Sequence, residues 1–339
     1  METPNIENTN TDQTTDQIEF KNRLDVSELQ ENVFKIKEQL QKVIVGQKDM
    51  LDLLIVALLS DGHVLIEGVP GVAKTITAKL LSKTIAADFS RIQFTPDLMP
   101  SDILGTSVYN LQTSEFEFKK GPIFSNMILI DEINRAPAKT QAALFEVMEE
   151  QQVTIDGKTY KMDEPFMVLA TQNPIEQEGT YRLPEAQLDR FLFKINVEYP
   201  NAEEEYEIIF REQALNNTTK SSKIETVISA TKIIEFRNLV NQISIEENLL
   251  KYIANIVVNT RSHSFLYLGA SPRASIAILN ASKAFAAIDG RDFVTPEDIK
   301  KATIPVLQHR VIVTPEREME GLGSTQIIAQ IIEAVEIPR

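Results

Sequence analysis

The stretch from His63 to Thr75, HVLIEGVPGVAKT, constrains this chain more than any other. Val64, Leu65 and Ile66 form the short apolar run of a buried parallel strand, which Gly68, Pro70 and Gly71 break abruptly. A helix is predicted at once, because Ile76, Leu80, Leu81 and Ile85 recur at helical spacing. The loop Gly68, Val69, Pro70, Gly71, Val72, Ala73, Lys74, Thr75 therefore brings backbone N–H groups and the positive end of a helix dipole to one point. That point suits a polyphosphate. Lys74 would put a compact charge on the β- and γ-phosphates, and the Thr75 hydroxyl would be a ligand of Mg²⁺. Ala73 stands where the G-x-x-x-x-G-K-[ST] pattern has its second glycine, so it is expected to keep ordinary backbone angles. Taken alone, the loop can also be read as a Gly-rich turn with no ligand.

Composition narrows the class. With 339 residues, 43% hydrophobic and 24% charged, two soluble domains are expected. A formal charge of −15 argues against a protein that coats a phosphate backbone, although a local basic patch is compatible with it. No cysteine is present, which excludes disulfides and thiolate zinc sites and fits a cytoplasmic protein. Residues 1–25 are polar and acidic, lack the pattern of a signal peptide, and read as a disordered tail. The longest apolar segment, Leu51 to Leu59, is shorter than the roughly 20 residues of a membrane helix.

A helix is predicted from Ser27, with Ser27 and Gln30 at capping-box spacing and Leu29, Val33, Ile36 and Leu40 on one face. The next segment, Val43 to Gln47, interrupts the helices. Val43 and Val45, with Gly46 and Gln47, can wrap an adenine ring if the loop downstream holds phosphates, and a buried turn explains them equally well. Arg91–Thr95 reads as a second strand and Pro100–Leu104 as a short helix. Phe116 and Phe118 then alternate with Glu115 and Glu117, which suggests a hairpin inserted in a helical element.

A second chemical centre follows. Met127–Ile130 is a fully apolar strand with Asp131 and Glu132 at its carboxyl end, where open parallel sheets place their ligands. Asp131 can complete a Mg²⁺ shell opposite Thr75, and Glu132 can polarise the water that attacks the γ-phosphate. In isolation such a pair is also an ordinary solvated helix start. The acidic end of the helix Lys139–Glu150 is read as a solvated face, and Asp156-Gly157 as the turn of a second hairpin over Gln152–Met162. A fourth strand, Phe166–Thr171, delivers Asn173 to the same edge, where its amide can meet the γ-phosphate or form a turn with Pro174. Arg190 is read either as a surface ion pair with Asp189 or as an arginine finger on a neighbouring subunit's phosphate, with Arg182 as its rival.

The strings GVPGVAKT, LIDEINRAP, ATQNP, LPEAQLDRF and GASPRAS, in that order, resemble the MoxR family of AAA+ ATPases over nearly the whole chain after the tail. The resemblance implies an α/β, parallel-sheet ATPase domain with hairpin inserts, expected over 26–198, and a small all-helical lid over 199–339. It implies ATP and Mg²⁺ as ligands, Ala73 as an accepted loop variant, Asn173 as a sensor and Arg190 as the finger. Ser271 and Pro272 read as the cap and first residue of a lid helix whose first turn holds Arg273, a cation opposed to the dipole there. MoxR-like proteins would make Arg273 a second sensor of the γ-phosphate. They also imply a homo-oligomeric ring, hexameric in expectation, and a protein client such as one with a von Willebrand factor A domain. A magnesium-chelatase-like motor subunit shares these features. A nucleic-acid motor would need Lys or Arg at its hairpin tips, where only Lys158 and Lys161 are offered. Thr295, Pro296 and Asp298 are expected to start a last capped helix, and His63, His263 and His309 to be structural or solvated.

Overall fold

The computed structural model describes residues 23–69, 71–173, 181, 183–214 and 224–338. Pro70, Arg182, the linker over 216–223 and all but the end of the acidic tail lie outside the described residues. Two helices open the chain, α1 (Ser27–Gln41) and α2 (Lys48–Leu59), and β1 (Val64–Gly68) leads into α3 (Lys74–Thr84). Then come β2 (Phe89–Gln93), α4 (Pro100–Leu104), the hairpin β3 (Gly105–Asn110) and β4 (Glu115–Lys120), and β5 (Met127–Asp131). A 3-10 turn, Ile133–Arg135, precedes α5 (Ala138–Glu150), the hairpin β6 (Gln152–Ile155) and β7 (Lys158–Lys161), β8 (Met167–Gln172), α6 (Glu185–Leu188) and β9 (Phe193–Val197). The remainder is mostly helical: α7 (Ala202–Ala214), α8 (Ala230–Asn241), α9 (Glu247–Ser262), β10 (Leu266–Leu268), α10 (Pro272–Ile288), α11 (Pro296–Leu307), β11 (Ile312–Val313), α12 (Pro315–Met319) and α13 (Ser324–Ala334). Both hairpins lie where the sequence places them, the second with Asp156 and Gly157 at positive φ in its turn.

The central sheet runs β2-β5-β8-β1-β9 with every pair parallel. Period-two alternation divides its apolar strands between two cores. Val64, Ile66, Met127, Leu129, Met167, Leu169, Phe193 and Ile195 face one core, and Leu65, Ile128, Ile130, Val168 and Ala170 face the other. Leu144, Phe145 and Met148 of α5 close the second. The first continues through α1 and α2 into Ile233, Ile253, Ile278 and Ile328 of the helical part, so the two parts share one apolar interior. Among the described residues no helix is long and apolar enough to cross a membrane.

Two predicted caps differ. Ser27 is the first residue of α1 rather than its cap, and its N–H donates to Asp25 Oδ1 at 2.9 Å. Ser271 does stand at the cap of α10 with Pro272 following, but its hydroxyl donates to Asp189 Oδ2 at 2.9 Å instead of accepting from the helix. The Thr295/Asp298 capping box forms, with Arg291 on both Asp298 oxygens at 2.6 and 2.7 Å, and two further helices follow it.

His63 and His309 are buried. His63 Nδ1 accepts from Val168 N–H at 3.1 Å and Nε2 lies 3.1 Å from Met148 O, while His309 Nε2 lies 3.0 Å from Phe191 O. Each ring is therefore the neutral Nε2–H tautomer. Burial lowers both pKa values, that of His309 well below the ordinary range with Arg310 adding to it. A pKa lowered by folding gives stability that is complete above the unfolded value, about 6.5, and lost as pH falls toward the folded value. Stability to denaturant is expected to fall below about pH 6.5, with up to about 1.4 kcal/mol per pH unit from each ring. His309→Gln should flatten the profile; an unchanged slope in that variant would assign the acid loss to other groups.

Candidate nucleotide site

At the carboxyl edge of the sheet, Gly71, Ala73, Lys74, Thr75, Asp131, Glu132, Thr171 and Asn173 line a cavity of about 410 Å³, together with Arg91 and Gln93 of β2. The size is that of a small-molecule site. Three elements, the loop before α3 and the ends of β5 and β8, thus meet as the sequence predicts, and β2 joins them unforeseen. Gly71 holds φ 92, a conformation that an L side chain rarely adopts, and open space lies where its Cβ would be. Val72 is buried and Val69 half-buried against the core, which anchors the loop from beneath.

Ala73 departs from expectation. It caps α3 at φ 61, ψ 14, in the left-handed region, where its methyl group costs roughly 1–2 kcal/mol. The loop needs the backbone turn that glycine supplies elsewhere, and the helix and core impose it on alanine. Ala73→Gly is expected to raise stability to urea by about 0.5–1 kcal/mol, net of the greater flexibility of glycine when unfolded. A loss of stability would mean that the methyl group's packing outweighs the strain.

Lys74 Nζ donates to Gly68 O at 2.7 Å. Burial lowers its pKa, opposed by Asp131, Glu132 and Glu67. Asp131 is buried, with Oδ2 accepting from Arg91 Nε at 2.6 Å and Oδ1 from Thr171 Oγ1 at 3.2 Å. An ionised carboxylate has about four acceptor positions, so these bonds leave room for a cation's ligand water or the ion itself. Thr75, Asp131 and a cavity lined by Lys74 therefore fit a Mg²⁺-polyphosphate, in which the ion keeps several waters. Glu132 is a second left-handed residue, at φ 58, ψ 54. Its N–H donates to Thr171 Oγ1 at 3.1 Å, and its Oε2 accepts from Gln93 Nε2 at 2.8 Å with Arg135 Nε 2.9 Å away. Strain of this kind, with the backbone held at Thr171 and the side chain at Gln93 and Arg135, places Glu132 on the cavity wall.

The adenine segment forms the turn between α1 and α2. Gly46 and Gln47 both hold positive φ, and a Cβ on Gly46 would meet the Glu204 carboxylate at 2.3 Å. Gln47 Nε2 donates to Glu198 O at 3.1 Å. A second cavity, about 740 Å³, is walled by Gln47, Asn196, Tyr199, Asn201, Glu204 and Gln308. Val43 and Val45 are half-buried and are not among its walls, Val43 being packed on the core that holds Ile44.

Residues 63–193 match the ATPase family associated with various cellular activities (AAA), and residues 258–331 match the AAA lid domain. The chain is 47% identical over 307 residues to YeaC of Bacillus subtilis, covering 90% of this chain and 94% of that protein. It is 42% identical over 324 residues to Chaperone MoxR1 of Mycobacterium tuberculosis, covering 93% and 84%. The chain belongs to the MoxR family of AAA+ ATPases. A solved structure from Cytophaga hutchinsonii, assigned as an ATPase, superposes with a TM-score of 0.86 at 46% identity over 93% of this chain and 97% of that one.

In this MoxR-family chain the two candidate arginines lie apart from the phosphate loop. Val64 of β1 pairs with Phe193 of β9, so Arg190, just upstream of β9, sits at the amino edge of the sheet. The loop sits at the carboxyl edge, a five-residue strand or about 16 Å away. The described walls of the Lys74 cavity include neither Arg190 nor Arg273. Arg190 makes no pair with Asp189; its Nη1 donates to Phe145 O at 2.6 Å and lies 3.4 Å from Glu149 Oε2. Arg273 Nη2 donates to Glu149 Oε1 at 2.8 Å. Asp189 instead accepts from Arg310 and Ser271. Arg91, Gln93, Glu149 and Arg310 escaped sequence reasoning. Only Arg91 and Gln93 carried a signal, as polar residues alternating with Ile92 on a strand beside the acidic pair.

Proposed function

We propose that this chain hydrolyses ATP in the Lys74 cavity and couples the cycle to remodelling of a protein partner, as a homo-oligomeric ring that the family resemblance makes hexameric. The observation that carries the hydrolytic part is the convergence of Lys74, Thr75, Asp131, Glu132 and Asn173 on one cavity. Lys74 leaves the Gly68 carbonyl for the β- and γ-phosphates, and the loop N–H groups and the α3 dipole hold the remaining charge. Thr75 and Asp131 would hold Mg²⁺, which when bound neutralises charge on the phosphates. Glu132 orients and deprotonates the attacking water, while Asn173 positions the water or the γ-phosphate. The adenine would lie toward Gln47 and Gly46, flanked by Val43 and Val45. Arg190 and Arg273, remote from their own loop, serve the nucleotide of the adjacent subunit.

That a relative 42% identical is named a chaperone, together with the family resemblance, favours a protein client, with von Willebrand factor A domains as the class to try first. The tip of the first hairpin exposes Leu111 and Phe116 at 86% and 71%, apolar groups that suit a protein surface better than a phosphate backbone. The test is capture of clients by Glu132→Gln with ATP, against Lys74→Ala, which should not hold nucleotide. Partners enriched only on the ATP-stalled protein are expected. Equal capture by both variants, or capture of nucleic acid alone, would overturn the remodelling reading.

A further inference from the structure

Glu149 stands at the last turn of α5, and each oxygen of its carboxylate faces a different guanidinium: Arg273 Nη2 at 2.8 Å and Arg190 Nη1 at 3.4 Å. We propose that Glu149 is a positioning residue for hydrolysis in the adjacent subunit, holding Arg190 and Arg273 side by side as one cationic unit. The proposal rests on the reading that these arginines act across the subunit boundary.

Their backbones are already tied together. Arg310, buried, donates through Nε to Asp189 Oδ1 at 2.7 Å and through Nη2 to the carbonyls of Asp189 and Phe191 at 3.1 and 2.6 Å. The Asp189 carboxylate also receives Ser271, two residues before Arg273. The chain on either side of Arg190 is thereby clamped to the start of α10. Arg190 Nη1 also donates to the Phe145 carbonyl at 2.6 Å, one turn before Glu149 on the same helix, but a neutral carbonyl does not cancel charge, and two guanidiniums on neighbouring stems repel one another. A carboxylate between them removes that repulsion, and its single charge against two cations leaves a net positive charge for a phosphate to meet. The α5 carboxyl end adds the negative pole of its dipole to the same spot. Arg190 and Arg273 keep 28% and 52% of their side chains exposed, so the pair is accessible from outside the subunit.

Replacing Glu149 by glutamine keeps the shape and removes the charge, and it offers an NH₂ group to one of the two cations. With Glu149→Gln, kcat for ATP is expected to fall about 10- to 100-fold, the usual size of a misplaced charged group. The KM for ATP and the thermal midpoint should stay as in the wild type, because the residue's own cavity lies at the other edge of the sheet. Glu149→Asp, with the charge but a shorter reach, should fall between.

The decisive arm is subunit mixing. Glu149→Gln carries an intact cavity, and Glu132→Gln carries intact arginines, so mixed assemblies should hydrolyse ATP faster than the two proteins do separately. Arg190→Ala mixed with Glu132→Gln is the control. If the control recovers and the Glu149→Gln mixture does not, the defect lies within its own subunit and the proposal fails while the trans reading stands. If neither recovers although subunits exchange, the trans reading fails and the proposal with it. Wild-type kcat in Glu149→Gln, or a raised KM alone, would also overturn it.

Discussion

Glu132→Gln is expected to bind ATP as the wild type does and to hydrolyse it at least ~100-fold more slowly, the ordinary contribution of a general base. The expectation comes from the geometry of the two adjacent carboxylates. Asp131 is buried and spends its oxygens on Arg91 and Thr171, whereas Glu132 is turned away from it by a left-handed backbone and held at Gln93 and Arg135. An amide at 132 preserves these polar contacts on one oxygen and cannot take a proton from water. Nucleotide affinity by fluorescence and phosphate release in single turnover separate the two effects. Near-normal turnover would remove Glu132 from the base role.

Arg190→Ala is expected to lose about 10³–10⁵ in kcat, the range of arginine fingers, without loss of ATP binding to the isolated subunit. The side chain cannot reach its own phosphate loop, since the parallel register of β9 on β1 puts it at the opposite edge of the sheet. Its present bonds, to the Phe145 carbonyl and Glu149, are partly exposed and contribute little to folding. A large kinetic loss with a small shift in unfolding midpoint is therefore the signature sought. Hydrolysis that is unchanged in assembled Arg190→Ala would return the residue to a structural role.

Local pattern made much of this legible. The apolar runs before Gly68, Asp131 and Gln172 each become a central parallel strand, and Asp156-Gly157 turns a hairpin, because strand burial and turn chemistry are written within a few residues. Lys74, Thr75, Asp131, Glu132 and Asn173 meet at one cavity for an equally local cause, since each lies at or just beyond the carboxyl end of a parallel strand, where ligands bind.

What depended on distant contacts was closed to it. An apolar run such as Met127–Ile130 does not say which residues face which core, and only the pairing of β5 with β2 and β8 sends Leu129 to one and Ile130 to the other. Ser271 looked like a helix cap because capping is local, yet Asp189, far away in sequence, takes its hydroxyl. Ala73 and Glu132 adopt left-handed angles that neither residue favours, imposed by the core beneath the loop and by Thr171 and Gln93. The acidic end of α5 read as a solvated face until the fold carried Arg190 and Arg273 to it. Sequence by itself determined the family, four of the five strands of the central sheet and the meeting of Lys74, Thr75, Asp131, Glu132 and Asn173, because each of those is encoded in short-range spacing. Tertiary structure alone decided that the two arginines share Glu149 at the far edge of the sheet, because that meeting depends on strand register and on helix packing across the chain.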